Sequence, residues 1–256
     1  MIDYARNAKY PALWHDCLVN YNANVQRGSY PGMWMYNLAY NRWHCEVSTL
    51  ISTDVIKWKD TSKGLLRTWY QQGTAVGYGG VIKGKFPDLL QDFTVSCWII
   101  IESEVTGSPI FTRSSPQSWL FVSAGQVLNF QERDASIRCQ GVATLSLDTL
   151  YHVAVTKKGT TFTIYINGQV DATNTATPVA TASTTDNDIS VFDGALTSYN
   201  RSFNGWKEDF RIYNRALTQR EIQLLATHPL VAFEQQPEPW YTEAATAAIM
   251  PQIIWW

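Results

Sequence analysis

Charge is scarce in this chain. Only 16% of its 256 residues are Asp, Glu, Lys or Arg, and the net charge is −2, against roughly a quarter charged in ordinary globular domains. A nucleic-acid footprint needs clustered Lys and Arg to displace counterions, so no nucleic acid is expected as a partner. Long apolar runs are also missing. The tail Ala244–Trp256 is short and broken by Pro251, well below the roughly 18 residues a membrane helix needs, so no membrane partner is expected. The start Met1–Lys9 lacks the apolar core of a secretory signal, which points to synthesis in the cytoplasm.

Cysteine is equally sparse. Cys17, Cys45, Cys97 and Cys139 lie far apart and read as reduced, buried thiols. His15 with Cys17 and His44 with Cys45 would supply a zinc-like donor set, but neither pair has the spacing of a structural zinc site. No metal and no cofactor is therefore expected. There is no Gly-x-Ser-x-Gly, phosphate loop or dinucleotide fingerprint. His15-Asp16-Cys17 contains the parts of a nucleophile relay, yet such groups meet in space rather than along the chain.

What the chain has is aromatic side chains: 11 Trp, 13 Tyr and 10 Phe in a sequence that is 45% hydrophobic. That excludes disorder, and the length suffices to bury about three quarters of the unfolded surface. From Phe93 the apolar residues recur with period two, at Phe93, Val95, Cys97, Ile99 and Ile101, while Trp98 and Ile100 occupy the other face. Both faces of this strand are thus expected to be covered, as in a sandwich. Further strands are expected at 109–112, 118–123 and 127–131. Tyr151–Thr156 and Phe162–Ile166 alternate again, and Asn167-Gly168 offers the two residues with φ > 0 that a type I′ hairpin wants. Thr173–Asp188 reads as a loop, and 189–191 and 206–213 as closing strands. Thr218-Gln-Arg-Glu221 is a capping box that opens one short helix, stopped at His228-Pro229. Before residue 90 the pattern is irregular. These features predict an all-β antiparallel jelly-roll β-sandwich with one short C-terminal helix. The expected organisation is an N-terminal arm at 1–16, a sandwich at 17–229 with an aromatic insertion at 28–46, and a docking tail at 230–256.

Several segments resemble the laminin-G-like family of concanavalin-A-like jelly rolls, including members from bacteria and bacteriophages. They are Asp92-Phe-Thr-Val-Ser-Cys-Trp98, Tyr151–Thr156, Tyr165-Ile-Asn-Gly168, Phe203-Asn-Gly205, and Asp209-Phe-Arg-Ile-Tyr-Asn-Arg-Ala-Leu217 followed by Glu221-Ile222. The family's acidic element before the first of these appears here as Gly77–Lys83 without carboxylates, so a calcium site of that type is not expected. Asp186, Asp188 and Asp193 read as solvated loop acids. The same superfamily contains glucanases with a Glu-x-Asp-x-(x)-Glu strand. Glu132-Arg-Asp134 lacks the second Glu, and Glu102-Ser-Glu104 lacks the central Asp, so no enzyme is expected.

Two functions fit. The first is a non-enzymatic structural component of a bacteriophage virion (decoration, fibre or tail), with other virion subunits or a second copy of the chain as partners. Its interface would use Trp34, Tyr36, Tyr40, Trp43, Trp240, Trp255 and Trp256, because contiguous exposed apolar surface marks contacts. The tail could equally fold back onto its own sandwich. The second is a lectin-like carbohydrate-binding module whose glycan would meet Trp119, Asp193, Tyr199, Asn200, Asn204 and Trp206 through ring stacking and hydrogen bonds.

Overall fold

Alternation of apolar residues, tight glycine turns and a single capped helix build two antiparallel sheets face to face. The computed structural model describes residues 8–22, 34–35, 37–39, 45–47, 56–59, 68–71, 80–82, 92–103, 108–114, 117–132, 137–177, 189–190 and 203–235. Sixteen strands fall in them: β1 Cys17–Tyr21, β2 Trp34–Met35, β3 Cys45–Val47, β4 Ile56–Lys59, β5 Thr68–Gln71, β6 Gly80–Ile82, β7 Phe93–Ile101 and β8 Ser108–Ser114. The remainder are β9 Gln117–Val122, β10 Val127–Glu132, β11 Ile137–Thr144, β12 Leu150–Lys158, β13 Thr161–Ile166, β14 Gln169–Thr175, β15 Ile189–Ser190 and β16 Gly205–Tyr213. The front sheet runs β14-β13-β12-β7-β16-β5-β4, with β1 also paired to β16. The back sheet runs β11-β10-β9-β8-β15-β6-β3-β2. The protein is an all-β jelly-roll sandwich.

Three features depart from the sequence expectation. β11 was not visible as a strand, because its apolar Ile137 and Val142 face outward, 45% and 78% exposed. β14 continues to Thr175, into what reads as loop, because its edge is engaged. The Asp171 carboxylate accepts from the amides of Val142 and Ala143, both at 2.9 Å, and Asn174 Nδ2 donates to the Arg138 carbonyl at 2.6 Å. Two side chains of the front sheet's edge thus satisfy backbone groups on the back sheet's edge, which would otherwise be open to pairing. Finally, the aromatic segment 28–46 contributes β2 and part of β3 to the back sheet.

The inner face of β7 presents Phe93, Val95, Cys97, Ile99 and Ile101 to Phe111, Leu120, Leu128 and Phe130 of the back sheet. Phe130 lies between Phe93 (5.6 Å between ring centres) and Phe162 (5.7 Å). On the outer face of the front sheet a second cluster forms. Helix α1, Gln219–Leu225, lays Ile222 and Leu225 over Ala154, Tyr165 and Tyr213. Its capping box is complete, with Thr218 accepting from the Glu221 amide and Glu221 accepting from the Thr218 amide. The turn at Asn167-Gly168 has φ values of 50° and 78°, both left-handed as a type I′ turn requires.

β16 carries the decisive irregularity. It pairs with β7 as Glu208↔Trp98 and then Arg211↔Ser96, so two residues, Asp209 and Phe210, stand opposite Cys97. Asp209 takes φ = 50°, a conformation Asp tolerates better than most residues. The bulge reverses which side chains face inward. Before it, Lys207 points into the core and donates to the Pro109 carbonyl at 3.0 Å. After it, Phe210 and Ile212 point inward, while Arg211 and Tyr213 face the cluster under α1.

Arg211 and Asp209 are both buried and form an ion pair, with Nε 3.0 Å from each carboxylate oxygen and Nη2 2.9 Å from Oδ1. Burial works against the Arg211 charge, but Asp209 outweighs it and holds the guanidinium firmly protonated. The guanidinium carbon lies 5.5 Å from the Trp14 ring centre and 5.7 Å from that of Phe233. Trp14 Nε1 donates to Ala232 at 2.7 Å, and the Tyr213 hydroxyl to Leu13 at 2.9 Å. Residues 8–14 and 229–235 therefore meet over this pair, where Ala8 also bridges to Gln235.

Removing one partner of a buried pair strands the other charge, at a cost of about 3–5 kcal/mol. Asp209→Asn, which keeps the tolerance for positive φ, is expected to lower unfolding free energy by that amount in urea titrations. Asp209→Ala is expected to lose somewhat more, and parity of Asp209→Asn with wild type would contradict the ion-pair account.

Candidate functional site

Outward-facing side chains of β7 are the even-numbered ones, and the series Ser96, Trp98, Ile100 continues past the strand end to Glu102. On β16 the outward residues before the bulge are Trp206 and Glu208, which stand opposite Ile100 and Trp98. The two strand ends meet at a rim. There the Trp206 indole Nε1 donates to Glu102 Oε1 at 2.6 Å, and Asn204 Nδ2 donates to Ser103 Oγ at 2.5 Å. The backbone locks the same junction, since the Glu102 amide donates to the Asn204 carbonyl at 3.1 Å. Gly205 sits between Asn204 and Trp206 at φ = 147°. A Cβ there would collide with the Ile100 carbonyl, so the close approach of the strands requires glycine.

The chemistry of this rim is that of an acceptor with a hydroxyl beside it. Glu102, Ser103 and Asn204 are half-buried, while Trp206 is only 6% exposed. Glu102 spends one oxygen on the indole and forms no ion pair. Ser103 accepts from Asn204, which leaves its own proton to donate. Lys207, on the neighbouring strand, is turned the other way, with its ammonium 4.3 Å from the Phe203 ring centre inside the core.

The structure brings two of the expected glycan residues, Asn204 and Trp206, into one cluster, and adds Glu102 and Ser103. Trp206 does not offer a ring face to solvent as the sequence suggested. A buried indole needs a partner for its N–H, and here Glu102 provides it, so Trp206 positions the carboxylate. Trp119 lies elsewhere, in β9 of the back sheet opposite Thr112 and Gln131. Asp193, Tyr199 and Asn200 fall outside the described residues. So do Tyr36, Tyr40, Trp43, Trp240, Trp255 and Trp256, and Trp34 is placed only as part of β2. The signal that could have found Glu102 was its even-numbered place in the β7 series.

Of the four carboxylates weighed for catalysis, two are described. Glu132, at the end of β10, is bonded to Arg138 at 2.9 Å, and Glu102 is across the sandwich on the front sheet. Asp134 and Glu104 fall outside the described residues. His15 and Asp16 contact each other at 3.2 Å on the surface, but the Cys17 thiol is buried, donates to the Val19 carbonyl and is pushed up to about 12 by desolvation. That is the opposite of an activated nucleophile. Among the described residues no group of His, Cys, Asp and Glu could hold a metal ion, and no helix is long and apolar enough to cross a membrane.

Further in on the same face stands a row of buried polar atoms. His152 is opposite Trp98, with ring centres 5.3 Å apart. His152 Nδ1, Trp98 Nε1 and Ser96 Oγ have no protein partner. Burial, with the charge of Arg211 behind it, lowers the His152 pKa to about 3.

Two antiparallel sheets packed face to face, with one helix on the outside of the front sheet, define the class of jelly-roll sandwiches. The chain belongs to the concanavalin A-like lectin/glucanases superfamily, whose laminin-G-type profile matches residues 77–223. A search of curated proteins finds no match. Among solved structures, domain 4 of an extracellular arabinanase from Geobacillus stearothermophilus, in complex with arabinotriose, is 17% identical with a TM-score of 0.62. The match covers 83% of this chain and 98% of that domain. Trypanosoma rangeli sialidase in complex with sialic acid is 16% identical with a TM-score of 0.61, over 83% of this chain and 33% of the sialidase. The binding domain of botulinum neurotoxin DC, in complex with SialylT, is 13% identical with a TM-score of 0.59, over 83% of this chain and 51% of that one. The chain thus spans about a third of the sialidases it matches. At these identities the likeness is one of fold.

The buried histidine gives a pH dependence whose sign follows from linkage. Below about pH 6.5 the unfolded chain protonates His152, while the folded chain resists until about pH 3. Stability is therefore expected to fall as pH drops through that window. Urea midpoints at pH 7 and pH 4 should differ less in His152→Gln than in wild type, and an unchanged difference would remove His152 as the cause.

Proposed function

We propose that this protein is a non-enzymatic carbohydrate-binding module that takes its ligand at the Glu102–Ser103–Asn204 rim. The observation that carries the reading is the rim's geometry. A carboxylate oriented by the Trp206 N–H stands beside a hydroxyl that can still donate. Paired acceptors and donors of this kind bind sugar hydroxyls, and an oriented carboxylate makes the stronger, charge-assisted bond. The fold likeness to an arabinanase domain in complex with arabinotriose and to a neurotoxin binding domain in complex with SialylT supports the same reading. A glycan array probed with the whole chain is expected to give hits that Asn204→Ala weakens by about tenfold, the worth of one hydrogen bond to a polar partner. Absence of any hit at high protein concentration would contradict the reading.

A structural role in a bacteriophage virion is a second reading, compatible with the first. It is supported by sequence: Trp34, Tyr36, Tyr40, Trp43, Trp240, Trp255 and Trp256 all lie outside residues 77–223, the stretch that matches the superfamily. Aromatic residues outside the matched domain suit contacts with other subunits or with a second copy. Light scattering of the purified chain is then expected to give a defined oligomer that dissociates in the double variant Trp255→Ala, Trp256→Ala. A monomer at high concentration would exclude the self-association on which that role relies.

A further inference from the structure

Resting on the carbohydrate reading, we propose that the rim selects sugars without an anionic group, and that the uncompensated carboxylate of Glu102 is the specificity-determining residue. Three observations carry this. Glu102 makes no ion pair, and the Trp206 indole that binds it supplies a dipole but no positive charge. The cation on the adjacent strand, Lys207, is committed to the core: its ammonium donates to the Pro109 carbonyl at 3.0 Å, approaches the Ile110 carbonyl at 3.4 Å and packs on Phe203. Its side chain faces away from the rim, because Lys207 pairs with Ile99 in the regular part of β16 and shares the inward face of the sheet. Ser103 and Asn204, the other polar members of the rim, are neutral.

A sugar hydroxyl can donate to the second oxygen of Glu102 and accept from Ser103. A sialic acid carboxylate or a sugar sulfate placed in the same position meets a like charge, and among the described residues no cation pairs with Glu102 to offset it. In a half-buried site such repulsion is screened less than on an open surface. Sites that recognise anions commonly use an Arg fork or a Lys ammonium, and the rim has the reverse polarity. Selectivity would thus come from repulsion of the wrong ligand as much as from attraction of the right one.

The test is an array of matched glycans, each presented with and without a terminal sialic acid or sulfate, probed with wild type and Glu102→Gln. The glutamine keeps an oxygen for the Trp206 N–H and removes only the charge. Wild type is expected to bind neutral members at least about tenfold more tightly than their anionic counterparts. In Glu102→Gln that ratio should shrink towards one, and in wild type it should shrink as salt is raised. Equal or tighter binding of the anionic members by wild type overturns the inference and leaves carbohydrate binding standing. So does a ratio that Glu102→Gln leaves unchanged while its urea midpoint matches wild type. Failure to bind either series overturns the carbohydrate reading itself.

Discussion

The ion pair between Asp209 and Arg211 is the constraint on which the rest of the arrangement depends. It joins two residues of one strand, separated only by Phe210, which a regular strand would point to the same side. The positive φ of Asp209 opens the bulge, and the guanidinium closes onto the carboxylate from beyond it. In a strand of strict period two, Trp206 and Phe210 would face the same way. Because of the bulge, Phe210 enters the core against Phe111 and Tyr21, while Trp206 stays outside to hold Glu102. The rim is thus a consequence of a distortion some four residues further along the same strand. The same pair is the anchor for Trp14 and Phe233, and through them for the segments that flank the sandwich.

The outer face of the front sheet is divided by this arrangement. One part is sealed with apolar side chains: Ala154, Tyr165 and Tyr213 beneath Ile222 and Leu225 of the helix. The other part runs through Ser96, Trp98, His152 and Glu208 to the rim, and is buried without being apolar. Three polar atoms in that row lack protein partners. Each such atom costs free energy unless water or a ligand reaches it. The helix-covered part supplies the cohesion, and the polar row is where the face departs from optimal packing. Such departures cluster where a protein does something besides fold.

Most of the sandwich was legible in the sequence, for a physical reason. β7, β12 and β13 lie where one or both faces are buried, so selection for burial writes alternation directly into the chain, and the capping box of α1 is a local signal. β11 was illegible because its inward residues are Cys139 and Gly141 while its valine at 142 is exposed. The end of β14 was illegible because a partner distant in sequence, Arg138, makes Asn174 part of an edge. The candidate site was half legible. Asn204 and Trp206 were singled out as residues that carry sugar chemistry, but the exposure of Trp206 depends on its surroundings in three dimensions. Glu102 stood in view as one of two acids at a strand end, and only its contact with Trp206 reveals its place at the rim.

The scarcity of charge takes on a different meaning once the fold is known. The densest charged run, Lys207-Glu208-Asp209-Phe-Arg211, would ordinarily be read as a solvated face. Here all four charged residues are buried, in the middle of the front sheet. Replacing a buried ion pair by apolar residues of similar volume is often neutral or stabilising elsewhere, so stability alone does not account for this run. Register does. Apolar residues at 209 and 211 would restore plain alternation and give β16 no reason to bulge, and Trp206 and Phe210 would then share one face of the strand. The charged pair opposes that register, because plain alternation from the inward-facing Lys207 would turn Asp209 and Arg211 into the apolar core as well. The charged residues of this low-charge chain thus specify which face of β16 each aromatic occupies, and with it where the rim of Glu102, Ser103 and Asn204 stands.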